Sequence, residues 1–173
     1  SLSPKIHNYW FKKYNINGVY EKFAAKKDEL SKIVKKIKNE ELFGANITVP
    51  FKQSIIPFLD TLSSSAKKTY SVNTIFKKNE KVCGDNTDIV GFELAIQNSN
   101  FDFKNKSAFI FGAGGVTPSI IFGLKNLGVE EIFLSNRTLQ KVENIKSNFP
   151  FINEVKWGEI ENCDIFINAT SVG

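Results

Sequence analysis

Phe109-Ile110-Phe111-Gly112-Ala113-Gly114-Gly115-Val116-Thr117 is the stretch on which the reading of the 173-residue chain turns. Its three consecutive large apolar residues suit a strand buried on both faces, and the glycines behind them suit a tight turn into a helix. Gly112 lets the chain turn sharply, and Gly114 keeps side chains out of the way of an approaching pyrophosphate. The helix N-terminus behind the turn, through Gly115 and Val116, offers unpaired N–H groups and a partial positive charge to such an anion. Thr117 stands where a third Gly or Ala is usual, so the match to a dinucleotide-binding turn is imperfect.

The surroundings support that reading. Downstream of Ala108–Phe111, the pattern predicts a helix to Leu127, a strand over Glu131–Leu134 and a helix over Thr138–Ser147. A short strand near Val155 and an apolar strand over Asp164–Asn168 follow. Strands alternating with helices predict a parallel sheet covered on both faces. Upstream the rhythm differs. Ser3 is expected to cap a helix over Pro4–Tyr14, ahead of a strand over Val19–Phe23 and an amphipathic helix over Asp28–Lys38. A strand over Gly44–Val49 should end at Pro50, which cannot donate to a ladder. Short helices are expected over 51–57 and 63–70, and strands over Val72–Lys77 and Lys81–Gly84 around a turn. Thr87 is expected to cap a helix running to Gln97. The polar stretch Asn98–Lys106 is the expected boundary between domains 1–100 and 101–173.

The second strand of the glycine-turn unit bears on the cofactor. An NAD site places Asp or Glu about 20 residues past the glycines to hold the ribose 2′-OH. The chain instead reads Leu134-Ser135-Asn136-Arg137-Thr138, with no acid and with the only Arg of the chain. A planar guanidinium there can pair with a 2′-phosphate, Asn136 and Thr138 add donors, and Lys141 adds charge one helical turn on. NADP is therefore favoured over NAD. The plainer alternative makes Arg137 a surface residue beside a helix cap.

Composition sets outer limits. With 42% hydrophobic and 24% charged residues, the chain is neither disordered nor collagen-like. No apolar run is long enough for a membrane span, and one His with two Cys cannot form a usual zinc site, so no metal is expected. Two scattered cysteines suit a reducing cytoplasm. The net charge of +5 comes from 22 Lys and one Arg against 18 acids. Residues 1–100 carry the excess, with 16 Lys and 10 acids, but acids are interleaved with the lysines. That pattern reads as solvated faces, and neither nucleic acid nor a membrane is expected as a partner.

The first half holds no triad or metal motif. Lys52 follows a strand end and a proline, and Asp88 opens a helix in Gly84-Asp85-Asn86-Thr87-Asp88. A Lys and an Asp can form a proton-handling pair, with the carboxylate holding the ammonium. From spacing alone they read more readily as a surface Lys and a helix acid favoured by the macrodipole.

Seven segments together resemble the shikimate dehydrogenase family. They are SLSPKIHN (Ser1–Asn8), GANITVPFK (Gly44–Lys52), SVNTIF (Ser71–Phe76), GDNTDIVG (Gly84–Gly91), GAGGV (Gly112–Val116), NRT (Asn136–Thr138) and NATSVG (Asn168–Gly173). The resemblance implies an α/β fold: a three-layer αβα substrate domain at the N-terminus and an incomplete Rossmann-like NADP-binding domain behind it. It implies reversible NADPH-dependent reduction of 3-dehydroshikimate to shikimate, on the route to chorismate and the aromatic amino acids. Lys52 and Asp88 match the family's catalytic pair. Ser1 and Ser3 match hydroxyls that bind the substrate carboxylate, and Thr48, Asn73 and Asp88 match partners of the ring hydroxyls. Asn86 and Thr87 are expected to position Asp88 and the cofactor edge. Gly112, Ala113, Gly114, Gly115 and Val116 would hold the pyrophosphate, and Asn136, Arg137, Thr138 and Lys141 the 2′-phosphate side. Asn168, Thr170 and Ser171 match the segment near the nicotinamide ribose. A monomer or homodimer is expected. A quinate/shikimate enzyme using NAD(P) and a non-catalytic nucleotide-binding module remain the alternatives. The absence of Met, the start at Ser1 and the stop at Gly173 read as a chain cut at both ends, without the family's first strand and its last region.

Overall fold

The computed structural model describes residues 1–170. The chain divides into two compact units, residues 1–30 and residues 31–173. The first unit contains helix α1 (Ser3–Lys13), none of whose residues is buried. Ser3 is inside this helix, not its cap; the hydroxyl of Ser1 accepts the Ser3 N–H at 3.2 Å. The expected strand over Val19–Phe23 is absent. The amide of Asn8 pairs with both main-chain groups of Tyr20, each at 2.9 Å, and takes the place a partner strand would have filled. His7 stacks on Tyr20 with ring centroids 4.3 Å apart.

Helix α2 (Leu30–Lys38, its first residue in the preceding unit) presents Leu30, Val34 and Ile37 as its buried positions. A four-stranded mixed sheet then forms from β1 (Gly44–Asn46), β2 (Thr61–Leu62), β3 (Thr74–Lys78) and β4 (Lys81–Asp85), in the order β1-β3-β4-β2. The hairpin β3–β4 turns through Asn79 and Glu80, both at positive φ. Ile75 and Val82 from this hairpin are fully buried. Strand β1 is shorter than expected, ending before the cis Val49–Pro50 peptide, although the Ile47 N–H still reaches the Asn73 carbonyl at 2.7 Å. The two-residue strand β2 was not expected from the sequence, and residues 51–57 yield only a short 3₁₀ turn at Ile56–Phe58. Helix α3 (Ser64–Thr69) is capped by the Ser63 hydroxyl, which accepts the Ala66 N–H.

Helix α4 (Asp88–Gln97) leads to the second sheet, built from β5 (Ser107–Phe111), β6 (Glu131–Ser135), β7 (Asn153–Glu154) and β8 (Ile165–Asn168). Its pairings are all parallel and its order is β7-β6-β5-β8. Numbered within the sheet that order is 3-2-1-4, the first four strands of the doubly wound dinucleotide fold. Helices α5 (Thr117–Asn126) and α6 (Leu139–Lys146) supply Ile121, Leu124 and Val142 to a core completed by Ala108, Ile110, Ile132 and Leu134. The α/β class expected from the strand–helix alternation is the class observed. The order reverses between β5 and β8, so their carboxyl ends frame the crevice in which such sheets bind ligands.

Candidate active site

The Lys52 ammonium meets Oδ2 of Asp88 at 2.5 Å, with side chains 13% and 25% exposed. Lys52 is thus paired with the acid that opens α4 and does not extend freely into solvent. Oδ1 of Asp88 accepts from Nδ2 of Asn73 at 2.7 Å, so both carboxylate oxygens are engaged. Asn73 is oriented in turn, since its Oδ1 accepts the Thr87 main-chain N–H at 3.0 Å and hydroxyls from Thr74 and Thr87. A main-chain N–H can only donate, which fixes the amide oxygen on that side and the amide nitrogen toward Asp88. Thr48 is exposed just beyond β1, its carbonyl accepting the Phe51 N–H. Ser1 and Ser3 lie in the N-terminal unit, their hydroxyls 3.0 Å apart.

Thr87 does not cap α4 as expected. Its hydroxyl is drawn to Asn73, and the Asp88 N–H is taken instead by Oδ1 of the neighbouring Asn86 at 2.9 Å. Asp85 accepts hydrogen bonds from Ser63, Ser65 and the Asn86 N–H. Burial alone would push its carboxyl upward; these three donors outweigh that and hold it below the usual carboxylate range.

The glycine turn closes at the switch point. Gly112 has φ +103°, and a Cβ there would sit 2.9 Å from the carbonyl carbon and oxygen of Ala169. Thr117, the departure from the expected pattern, is fully buried and staples the turn: its hydroxyl donates to the Gly112 carbonyl at 2.8 Å and accepts the Gly114 N–H at 3.0 Å. Asn136 accepts the Ala113 N–H at 3.2 Å and so ties the turn to the end of β6. Among the described residues, the N–H groups of Gly115 and Val116 carry no hydrogen bond, and a Cβ on Gly114 would find only the Ala169 oxygen, 3.8 Å away. Open N–H groups on a glycine cradle at a helix N-terminus fit a pyrophosphate. Arg137 and Lys141 are exposed and, among the described residues, form no ion pair. Thr138 is exposed beside them, and its carbonyl holds the Asn136 amide. Asn168 accepts from the main chain and hydroxyl of Thr170, and both residues join Phe111, Trp157 and Phe166 in lining an open groove. Ser171 lies outside the described residues.

The Lys–Asp pair and the glycine turn are adjacent. A Cβ on Gly115 would lie 3.6 Å from Cδ of Lys52, and the Ser71 hydroxyl donates to the Gly115 carbonyl at 3.3 Å. Asn86 Nδ2 reaches Ser119 of α5 at 2.9 Å. Neither Ser71 nor Ser119 was singled out by sequence; the signal in hindsight is a hydroxyl inside the apolar run Pro118–Leu124. Among the described residues, no group of three or more His, Cys, Asp or Glu could hold a metal ion. No helix among them is long and apolar enough to cross a membrane.

A parallel sheet in this order with a glycine turn at its switch point, set against a Lys–Asp pair, is the arrangement of the dinucleotide-binding class of α/β proteins. Residues 1–75 match the model of the shikimate dehydrogenase substrate binding domain, and residues 93–172 match that of shikimate / quinate 5-dehydrogenase. The chain belongs to the shikimate dehydrogenase family. It is 53% identical over its whole length to the shikimate dehydrogenase (NADP(+)) of Pelagibacter ubique (strain HTCC1062), of which it covers 65%. The crystal structure of shikimate dehydrogenase from Aquifex aeolicus superposes with a TM-score of 0.91 at 36% identity, over all of this chain and 65% of that one. That of shikimate 5-dehydrogenase from Thermus thermophilus, in complex with NADP(H) and shikimate, gives 0.86 at 28% identity, over 98% of this chain and 64% of that one. The chain thus spans about two thirds, strictly 65%, of the length of the curated relative it matches.

Proposed function

We propose that the protein carrying this chain is an NADP-dependent shikimate dehydrogenase, reducing 3-dehydroshikimate to shikimate reversibly. The observation that carries this reading is the Lys52–Asp88 pair, 2.5 Å apart and beside Gly115 of the phosphate turn. When bound, NADP(H) supplies or accepts the hydride at the substrate's ring carbon. Lys52 donates a proton to the carbonyl oxygen as it becomes an alcohol and takes it back in the reverse direction. Its positive charge also stabilises the developing alkoxide, more strongly because the side chain is largely withdrawn from water. Asp88 aims the ammonium through Oδ2 and is itself held through Oδ1 by Asn73. Thr48, Asn73 and Asp88 hold the ring hydroxyls, and Ser1 and Ser3 the substrate carboxylate. Gly112, Ala113, Gly114, Gly115 and Val116 cradle the pyrophosphate, with Arg137, Thr138, Lys141 and Asn136 on the 2′-phosphate side. Asn168, Thr170 and Ser171 flank the nicotinamide ribose.

In this reading residues 1–100 handle substrate and residues 101–173 the cofactor. The two free thiols, Cys83 and Cys163, support a reducing cytoplasmic setting. A monomer or homodimer with no nucleic-acid or membrane partner is consistent with lysines paired to local acids, as Lys77 is to Glu40 and Glu80.

Steady-state assays of the complete gene product on shikimate and quinate with each cofactor test the reading. Oxidation of shikimate should be at least about tenfold more efficient with NADP than with NAD, because the guanidinium is spent on the 2′-phosphate. Equal efficiencies would remove the Arg137 argument, and absence of any turnover would leave the nucleotide-binding module.

A further inference from the structure

We propose that Asn86 is a positioning residue that couples the cofactor-binding helix α5 to Asp88, so that cofactor and substrate affinities depend on each other through one buried amide. The inference rests on the reading of Lys52 and Asp88 as the reacting pair and goes beyond it by naming what links them to the cofactor side.

Asn86 is 2% exposed, and its N–H and both ends of its side-chain amide are hydrogen-bonded. Its N–H donates to Oδ1 of Asp85 at 2.8 Å, and its Oδ1 accepts the main-chain N–H of Asp88 at 2.9 Å. Since a main-chain N–H only donates, the amide cannot be flipped, and Nδ2 must face the opposite side. There its two hydrogens go to Oγ1 of Thr69 at 3.0 Å and Oγ of Ser119 at 2.9 Å. Thr69 gives its own proton to the Ser65 carbonyl at 2.8 Å, so its oxygen is left as the acceptor Asn86 needs. Thr69 and Ser119 are 1% and 0% exposed, and neither oxygen has water as an alternative partner.

The two branches end in different places. Thr69 closes α3, whereas Ser119 lies in the first turn of α5, directly behind Gly112–Val116. An anion settling on the open N–H groups of Gly115 and Val116 pulls on the first turn of α5. Ser119 passes a shift of that turn to the Asn86 amide, and the amide holds the first N–H of α4 at Asp88. The Thr69 branch loads the same amide with no hydrogen bond to α5, which α3 meets only through side-chain packing such as Lys68 over the Phe122 ring, and this makes it the control.

The test uses the complete gene product and NADPH, with which shikimate cannot react because both are already reduced. The shikimate dissociation constant is measured with and without saturating NADPH, and NADPH binding is followed by its fluorescence. In the unaltered protein the two constants should differ by roughly fivefold or more, the lower end of ordinary couplings between sites. Ser119→Ala should bring the ratio to within about twofold of unity, while Thr69→Ala keeps it, although each removes one buried hydrogen bond and lowers the unfolding midpoint. Ser119→Cys, which keeps the volume with a weak acceptor, should behave like Ser119→Ala and serves if that variant does not fold. Thr69→Ser, which keeps the hydroxyl and deletes only a buried methyl, should match the unaltered protein in the ratio. A ratio unchanged in both Ser119 variants, or reduced equally by Ser119→Ala and Thr69→Ala, would overturn the coupling role. A ratio of one in the unaltered protein, with both ligands bound, would sink the inference and leave the proposed function standing. Failure to bind either ligand would sink both.

Discussion

Lys52 owes its place to side chains that never touch it. Thr87 and Thr74 saturate the oxygen of Asn73, the Asn73 nitrogen then holds Oδ1 of Asp88, and the free carboxylate oxygen is left for the ammonium. Such a chain fixes direction as well as distance, which a proton transfer requires. Replacing Lys52 by Ala should therefore cut turnover by about 10²–10⁴-fold, the usual worth of a positioned acid–base group, with little loss of shikimate binding. Stopped-flow turnover and equilibrium titration on the same preparation check this; near-normal turnover would take Lys52 out of the mechanism. Lys52 and Asp88 were legible from the residues themselves, and Asn73 and Thr87 only through the family resemblance. Lys52 and Asp88 stood out because a Lys after a strand-ending proline and an acid opening a helix are chemically marked positions. Ser71 and Ser119 did not, because their importance lies in which hydroxyls face Gly115 and Asn86 after folding.

The carboxyl end of β5 shows how an element sets a site. At φ +103° Gly112 turns the chain away from the sheet while Ala169 of the neighbouring segment comes close enough to leave no room for a Cβ. Gly112→Ala should cost stability by about 1–3 kcal/mol from the backbone conformation alone, before the clash is added. Gly114 has neither a positive φ nor a close neighbour, so Gly114→Ala should change stability by less than about 0.5 kcal/mol while weakening NADP binding. Urea titration separates the two variants, and equal midpoints would contradict the distinction. The strand–turn–helix unit was readable because its apolar run and glycines act locally. Val19–Phe23 forms no strand for the opposite reason, since Asn8, far back on α1, takes up the main-chain groups of Tyr20. The strand β2 escaped notice because two residues carry no period; only pairing with Cys83 and Gly84 makes Thr61–Leu62 a strand. The cap of α4 passed from Thr87 to Asn86 once Asn73 claimed the threonine hydroxyl, a competition that local sequence does not express.

Across the whole molecule, the acid limit of stability follows from four carboxylates held below their usual range, Glu40 by the Lys77 ammonium and three aspartates by other donors. Burial pushes Asp85 up, but donors from Ser63, Ser65 and the Asn86 N–H more than reverse it. The Val82 N–H lowers Asp60, aided by Lys38, and the Ser107 N–H and hydroxyl lower Asp164, aided by Lys106. An aspartate whose folded pKa lies below its unfolded value of 3.8 binds protons more weakly when folded, so the folded state is favoured while it is ionised. That contribution is complete above the unfolded pKa and fades as pH falls through the folded one. The net charge of +5 at pH 7 grows over the same interval as carboxylates are neutralised, and its self-repulsion acts in the same direction. The urea midpoint of this chain should thus be nearly flat from neutrality to about pH 5 and fall steeply below about pH 4. Asp85→Asn keeps an acceptor for the three donors but removes the titrating group. It should start lower at pH 7 and lose less between pH 5 and pH 3 than the unaltered chain, on the order of the lost linkage alone. Circular dichroism across that range reads both slopes, and parallel slopes would mean that Asp85 takes no part in the acid transition.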